Sequence, residues 1–152
     1  MQEYSHESFQ VTGLQLTTNT QNAFADIGKA WETINSQNLF DVIEHKAYPG
    51  LHNVYYNFTN QDDLDNRGYD VLIGFITDNN HIQNDSRLTT IIIPAQDYKY
   101  TTVQGEMPQS VVEKWNEINS LSMQEVNRSF GFDLDMYNEG GTECTITVAV
   151  NK

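Results

Sequence analysis

One cysteine, Cys144, is all the chain has. No intrachain disulfide can form, and nothing points to an oxidising compartment. Basic residues are also scarce. Eight Lys and Arg stand against 21 Asp and Glu, for a net charge of −13. That field repels phosphates and argues against DNA or RNA as a partner, while it attracts cations and basic surfaces. Acidity of this degree also serves solubility, which is its plainer reading. Long apolar runs are missing, and no stretch approaches the ~18 residues of a membrane span. The first ten residues, MQEYSHESFQ, lack a basic region followed by an apolar run, so no signal peptide is expected and a cytoplasmic setting is the default.

Several chemistries are excluded in the same way. His6, His45, His52 and His81 fall at no metal-ligand spacing, so the sequence assigns no metal. It has neither a phosphate-cradling glycine loop nor a GxSxG elbow, and no cofactor is expected. Asp63 to Gly68 begins like a calcium loop, but Arg67 replaces an oxygen ligand and the twelfth position is Gly74 rather than Glu. It reads as a solvated hairpin loop. Cys144 sits in a strand pattern with no histidine nearby in sequence, which suits a buried, inert thiol.

Aromatic residues and a repeated word are what the chain does have. Eight Tyr, seven Phe and two Trp occur in 152 residues, enough chain for one domain with a good core. Both tryptophans lie in the same short word, WETINS from Trp31 and WNEINS from Trp115. Each word is followed by two β-rich runs around a polar turn, so each half reads helix, strand, turn, strand. The halves cover about residues 5–77 and 88–151, joined by a polar connector over 78–87. Two copies are too few for a solenoid and predict one pseudo-symmetric domain with a groove between its halves.

Within that frame, Phe9 to Leu16 alternates as a strand, with a possible bulge at Gly13 where the apolar phase slips. Phe24, Ile27, Trp31 and Ile34 recur at helical spacing and predict a helix over about 20–36, with Thr18, Asn19 and Thr20 as capping candidates. Asn53–Phe58 and Tyr69–Ile76 pair as a hairpin. Leu88–Pro94 and Tyr98–Val103 are extended. Met107-Pro108 opens a second helix with the stripe Val111, Trp115, Ile118. Phe130–Tyr137 and Cys144–Val150 close the chain around Gly140-Gly141. The order β-α-β-β-β-α-β-β is an α+β arrangement, with helices packed on antiparallel sheet.

Asp135 and Tyr137 are two apart on a predicted strand and share one face. A carboxylate beside aromatic rings suits an organic cation, through Coulomb attraction and cation–π contacts of ~0.5–2 kcal/mol each. Trp115 and Trp31 are core or wall, and Tyr56 is a candidate wall at the pseudo-equivalent of Tyr137. Tyr69, Phe9 and Tyr98 are further candidates. Tyr55 must face away from Tyr56, and the sequence leaves open which of them points inward.

Ile93-Pro94-Ala95, Tyr98, Gly105, Pro108, Trp115, Ile118, Arg128, Phe130, Asp133, Asp135 and Tyr137 together give a pattern. With Tyr55-Tyr56-Asn57 and Gly68 to Gly74 it resembles the GyrI-like superfamily, the AraC-type or bacterial transcription activator effector-binding domains. The resemblance covers about residues 5–150. It implies a duplicated strand-helix-strand-strand fold and an aromatic pocket for small hydrophobic, often cationic, molecules. The acid at the pocket base is usually a Glu two positions before the Tyr, and here that position holds Asp135. The resemblance thus implies a stand-alone effector-binding protein, acting as a sensor or sequestering protein. Two alternatives remain. One is a hydrolase of reactive small molecules using Asp135 or Glu106. The other is an acidic protein-inhibitor module of the gyrase-inhibitor type.

Overall fold

The structure is a computed structural model and describes residues 1–121 and 123–152. Its strands are β1 (Gln2–His6), β2 (Phe9–Asn19), β3 (His52–Thr59), β4 (Gly68–Thr77), β5 (Thr89–Ile93), β6 (Gln96–Gln104), β7 (Asp133–Tyr137) and β8 (Glu143–Val150). Helix α1 spans Ala23–Gln37, α2 spans Gln109–Ser120, and α3 is a single turn at Met123–Val126. All eight strands join one antiparallel sheet in the order β1-β6-β8-β7-β3-β4-β2-β5. The architecture is α+β.

The strand order reads the same outward from the β7–β3 pair. On one side stand β8, β6 and β1; on the other stand β4, β2 and β5. Each half runs strand, helix, hairpin. The edge strands are exchanged: β1 precedes β2 but pairs with β6, and β5 precedes β6 but pairs with β2. Residues 7 and 8 join β1 to β2, and residues 94 and 95 join β5 to β6. Such links span only about 10 Å, so the two edges of the sheet must come together and the sheet curls into an open barrel. The His6 ring bridges this closure, 4.6 Å from Phe9 and 4.8 Å from Tyr98.

Strand β1 carries no apolar alternation, and four of its five residues are exposed, so no pattern announces it. The backbone ladder to β6 holds it, with Tyr4 stacked on Tyr98. No bulge forms at Gly13. The β2–β4 register runs unbroken from Gln10↔Thr77 to Asn19↔Gly68. Gly13 lies opposite Gly74, and a Cβ on either would stand within 2.0 Å of a carbonyl oxygen on the other strand. The glycine pair lets the strands approach and bend where side chains would collide. The apolar phase changes along β2 because its surroundings change. Phe9 and Val11 face the barrel interior, whereas Leu14 and Leu16 lie under α1.

Three clusters make the core. The barrel interior holds Val11, Val54, Tyr56, Leu72, Ile93, Tyr98, Leu134 and Ala149. On the outer face, α1 packs Ala30 and Ile34 over Val71 and Ile73. Likewise α2 packs Val111 and Ile118 over Cys144, Ile146 and Val148. The expected α1 stripe fails at one residue: Phe24 is 94% exposed. It sits in the first turn, before the buried face begins. The helix ends at Asn38, whose left-handed backbone (φ 51°) lets its N–H donate to the Ile34 carbonyl. No helix among the described residues is long and apolar enough to cross a membrane.

Candidate ligand-binding site

The β7–β3 pair lies at the seam between the halves, and its ladder register decides what faces the helices. Asp135 stands opposite Asn53, and Asp133 opposite Tyr55. Odd-numbered residues of both strands therefore share the helix side, and even-numbered ones point into the barrel. Asp135 is 1% exposed. The Tyr55 hydroxyl donates to its Oδ2 at 2.6 Å, and the Trp115 indole N–H donates to its Oδ1 at 2.7 Å. Tyr55 meets Trp115 edge to face at 5.8 Å, and Tyr69 at 6.0 Å. Tyr137 packs in the α2 cluster on the same side. Among the described residues, no Lys, Arg or His forms an ion pair with Asp135. Burial pushes its carboxyl up to about 6, against the pull of hydrogen bonds from Tyr55, Trp115 and Asn53. Burial and the Asp135 charge in turn raise the Tyr55 phenol well above its usual range.

One step along β7 the chemistry changes. Asp133 is fully buried and accepts the Arg128 guanidinium at 2.7 Å and the Ala149 backbone N–H at 2.8 Å. Burial raises its pKa, against the pull of Arg128 and the amide. Arg128 also donates to Asn119 Oδ1 at 3.1 Å, and its Cζ lies 4.5 Å from the Phe130 ring and 6.0 Å from Trp115. Arg67 approaches the same Phe130 ring, at 4.9 Å. Asp135 is thus an acid among rings at the middle of a strand whose other acid is paired with Arg128.

The structure brings together Asp135, Trp115, Tyr69 and Tyr137. Trp31 lies to one side, in the α1 cluster, edge to face with Phe40. Tyr56, Tyr98 and Phe9 do not join them. By strand parity all three face the barrel interior, where Tyr56 stacks on Phe132 at 5.5 Å. Tyr55, on the opposite face of β3 from Tyr56, stands against Asp135 instead. Its role followed from parity once the β3–β7 register was known, but nothing local in the sequence sets that register. Glu106 is exposed in the loop before α2.

The open space lies elsewhere. A cavity of about 610 Å³ occupies one end of the barrel interior, lined by Tyr4, Tyr48, His52, Ile76, Tyr100 and Met136 among others. His52 is fully buried there. Its Nδ1–H donates to the Gly50 carbonyl at 3.0 Å, which leaves Nε2 as an acceptor without a partner. Burial lowers its pKa, so the ring is neutral. Cys144 is buried under α2, and burial pushes its thiol far up, as befits an inert side chain.

A curled antiparallel sheet with helices packed on its outer face is the fold of this α+β domain, and its sequence places it in an effector-binding class. Residues 5–150 match the sequence profile of Cass2, the integron-associated effector binding protein, and the chain belongs to that family. The fold agrees. An integron cassette protein of Vibrio cholerae superposes with a TM-score of 0.74 at 22% identity, over 99% of this chain and 95% of that one. SAV2435, solved bound to tetraphenylphosphonium, gives 0.79 at 17%, over 99% and 93%. The C-terminal domain of EcmrR gives 0.58 at 13%, over 99% and 96%. A comparison with curated proteins finds no significant match.

Proposed function

We propose that this protein captures a small hydrophobic cation at the seam, with Asp135 as the countercharge and Trp115, Tyr55, Tyr69 and Tyr137 as the surrounding rings. One observation carries the reading. Asp135 is a buried carboxylate held only by neutral donors, with no cationic partner among the described residues. A buried charge without a countercharge is costly, and a ligand cation supplies what is missing. Support comes from the family and from the lipophilic cation bound to the structural relative. The rings fill the seam, so the ligand enters by displacing the Trp115 or Tyr55 contact. Burying ~250 Å² of apolar ligand surface at roughly 25 cal/mol/Å² yields ~6 kcal/mol gross. Association costs then leave affinities in the micromolar range.

Titration of the tag-free protein with tetraphenylphosphonium and with neutral triphenylphosphine oxide, followed by tryptophan fluorescence, tests this reading. Asp135→Asn is expected to weaken the cation at least tenfold and the neutral compound little. Equal losses for both would remove the charge role. The barrel cavity supports a second reading, in which a neutral ligand donates a hydrogen bond to His52 Nε2. Met136→Trp fills that cavity. If it abolishes binding while Asp135→Asn does not, the cavity is the site and the seam is structural.

A further inference from the structure

Histidines that share no spacing in the sequence meet in the fold. His45 follows the short 3-10 turn Leu39–Val42, and His81 lies in the connector after β4. They are thirty-six residues apart, yet their ring centroids stand 4.0 Å apart with planes inclined by 36°. One donor atom from each, together with a carboxylate oxygen of Glu44, all lie within 4.8 Å of one another. Glu44 Oε2 is 3.8 Å from His81 Nε2, beyond hydrogen-bonding range, and that nitrogen has no hydrogen-bond partner. Asp78 Oδ2 lies 3.5 Å from His45 Nδ1.

We infer that Glu44, His45 and His81 form a binding site for a divalent cation of the zinc class, with Asp78 supporting the His45 ring. Three arguments meet here. Bonds of ~2.0–2.2 Å in a tetrahedron place ligand atoms about 3.4 Å apart. The donors therefore need to move by only about 1 Å to close on an ion. Two imidazoles and one carboxylate form a set that favours Zn²⁺, Co²⁺ or Ni²⁺ over Mg²⁺ and Ca²⁺, which prefer oxygen. A carboxylate beside the other nitrogen of a ligating histidine is the usual means of orienting such a ring.

The scaffold beneath the donors is fixed. Glu44 N–H donates to Gln83 Oε1 at 2.9 Å, and Gln83 Nε2 donates back to the Glu44 carbonyl at 2.8 Å. Asp78 N–H donates to the His45 carbonyl at 2.9 Å, and Ala47 N–H to that of Ile76 at 2.8 Å. Gln10 Nε2, from β2, donates to the His81 carbonyl at 2.9 Å. Two chain segments are thereby aligned before any ion arrives. With three protein donors, a fourth position stays open to water. The ion would tie the connector to the segment that also carries Ala47 and Tyr48 at the barrel cavity. Its expected effect is a staple that stiffens one wall of that cavity, and the −13 net charge favours its arrival.

The test is calorimetric titration of tag-free protein with ZnCl₂ in a non-coordinating buffer, after removal of metal with EDTA. One saturable ion per chain is expected, with no comparable heat from MgCl₂, and a higher melting temperature with zinc than in EDTA. His45→Gln and His81→Gln are each expected to weaken zinc at least tenfold, and Glu44→Gln several-fold. In EDTA their melting temperatures should match the parent. His6→Gln, on the far edge strand, should bind as the parent does. Absence of saturable binding, parental affinity in both His45→Gln and His81→Gln, or an equal loss in His6→Gln would overturn the assignment.

Discussion

Asp133 and Asp135 are the same residue type on the same face of the same strand, both buried, yet their surroundings differ. Asp133 is closed: Arg128 takes one oxygen and the Ala149 amide the other. Asp135 is met by neutral donors alone: a phenol, an indole and the Asn53 amide. The first has every requirement of a structural ion pair, the second every requirement except the cation. Burial alone therefore does not mark a binding residue. On the proposed reading, what marks it is a charge with no cationic partner among the described residues.

The largest effect expected from this contrast is on stability at Asp133. Asp133→Asn leaves Arg128 buried without its countercharge and should cost ~3–5 kcal/mol in urea denaturation. Asp135→Asn at the neighbouring position should cost nothing and could gain ~1 kcal/mol, because it removes a charge that burial penalises. A large loss at Asp135 comparable to that at Asp133 would erase the distinction between the two sites. Cation affinity should respond in the opposite sense, with the tenfold loss confined to Asp135→Asn.

The pH dependence sharpens the same comparison. The folded-state pKa of Asp135 is raised from 3.8 to about 6, so the folded chain holds this proton more tightly than the unfolded chain. Its contribution to stability therefore falls as pH rises from about 4 to about 6 and is flat above that. The full shift corresponds to ~3 kcal/mol. The difference in unfolding free energy between the parent and Asp135→Asn should show this decline and then level off. Affinity for tetraphenylphosphonium should run the other way, rising from pH 5 to pH 7 as the carboxylate ionises. A flat affinity profile across that window would exclude Asp135 as the countercharge.

How much of this was legible beforehand follows from which information is local. The α2 stripe, the hairpins and the shared face of Asp135 and Tyr137 depend on periodicity within one segment, and the sequence carries them. The choice of Tyr55 over Tyr56 depends on which face of β3 meets the helices. That is set by its pairing with β7, about eighty residues away. Tyr98 and Phe9 read as wall candidates because aromatic strand residues suit either face, and only the curl of the sheet sends them inward. Strand β1 has no apolar pattern because its ladder, rather than its side chains, secures it. Spacing assigns His45 and His81 no metal because that rule applies to ligands on one local motif and not to two loops joined by the fold.

The smallest expected effect comes from Tyr55→Phe, and it separates two roles of the same ring. The substitution keeps the aromatic wall and removes only the hydroxyl that donates to Asp135 Oδ2. One hydrogen bond to a charged acceptor is worth ~1.5–3 kcal/mol when intact. Trp115 still holds Oδ1, and the lost hydroxyl is replaced by a hydrogen atom, so the fold should survive. The charged form of Asp135 loses a stabilising donor, so its pKa must rise further above 6. At pH 8 cation affinity should change less than threefold, because the acid is ionised in both proteins. At pH 6.5 the variant should bind clearly more weakly, and the midpoint of its affinity profile should move toward higher pH. An equal loss at both pH values would mean that Tyr55 contacts the ligand directly. An unshifted midpoint would mean that its hydroxyl does not govern the charge of Asp135.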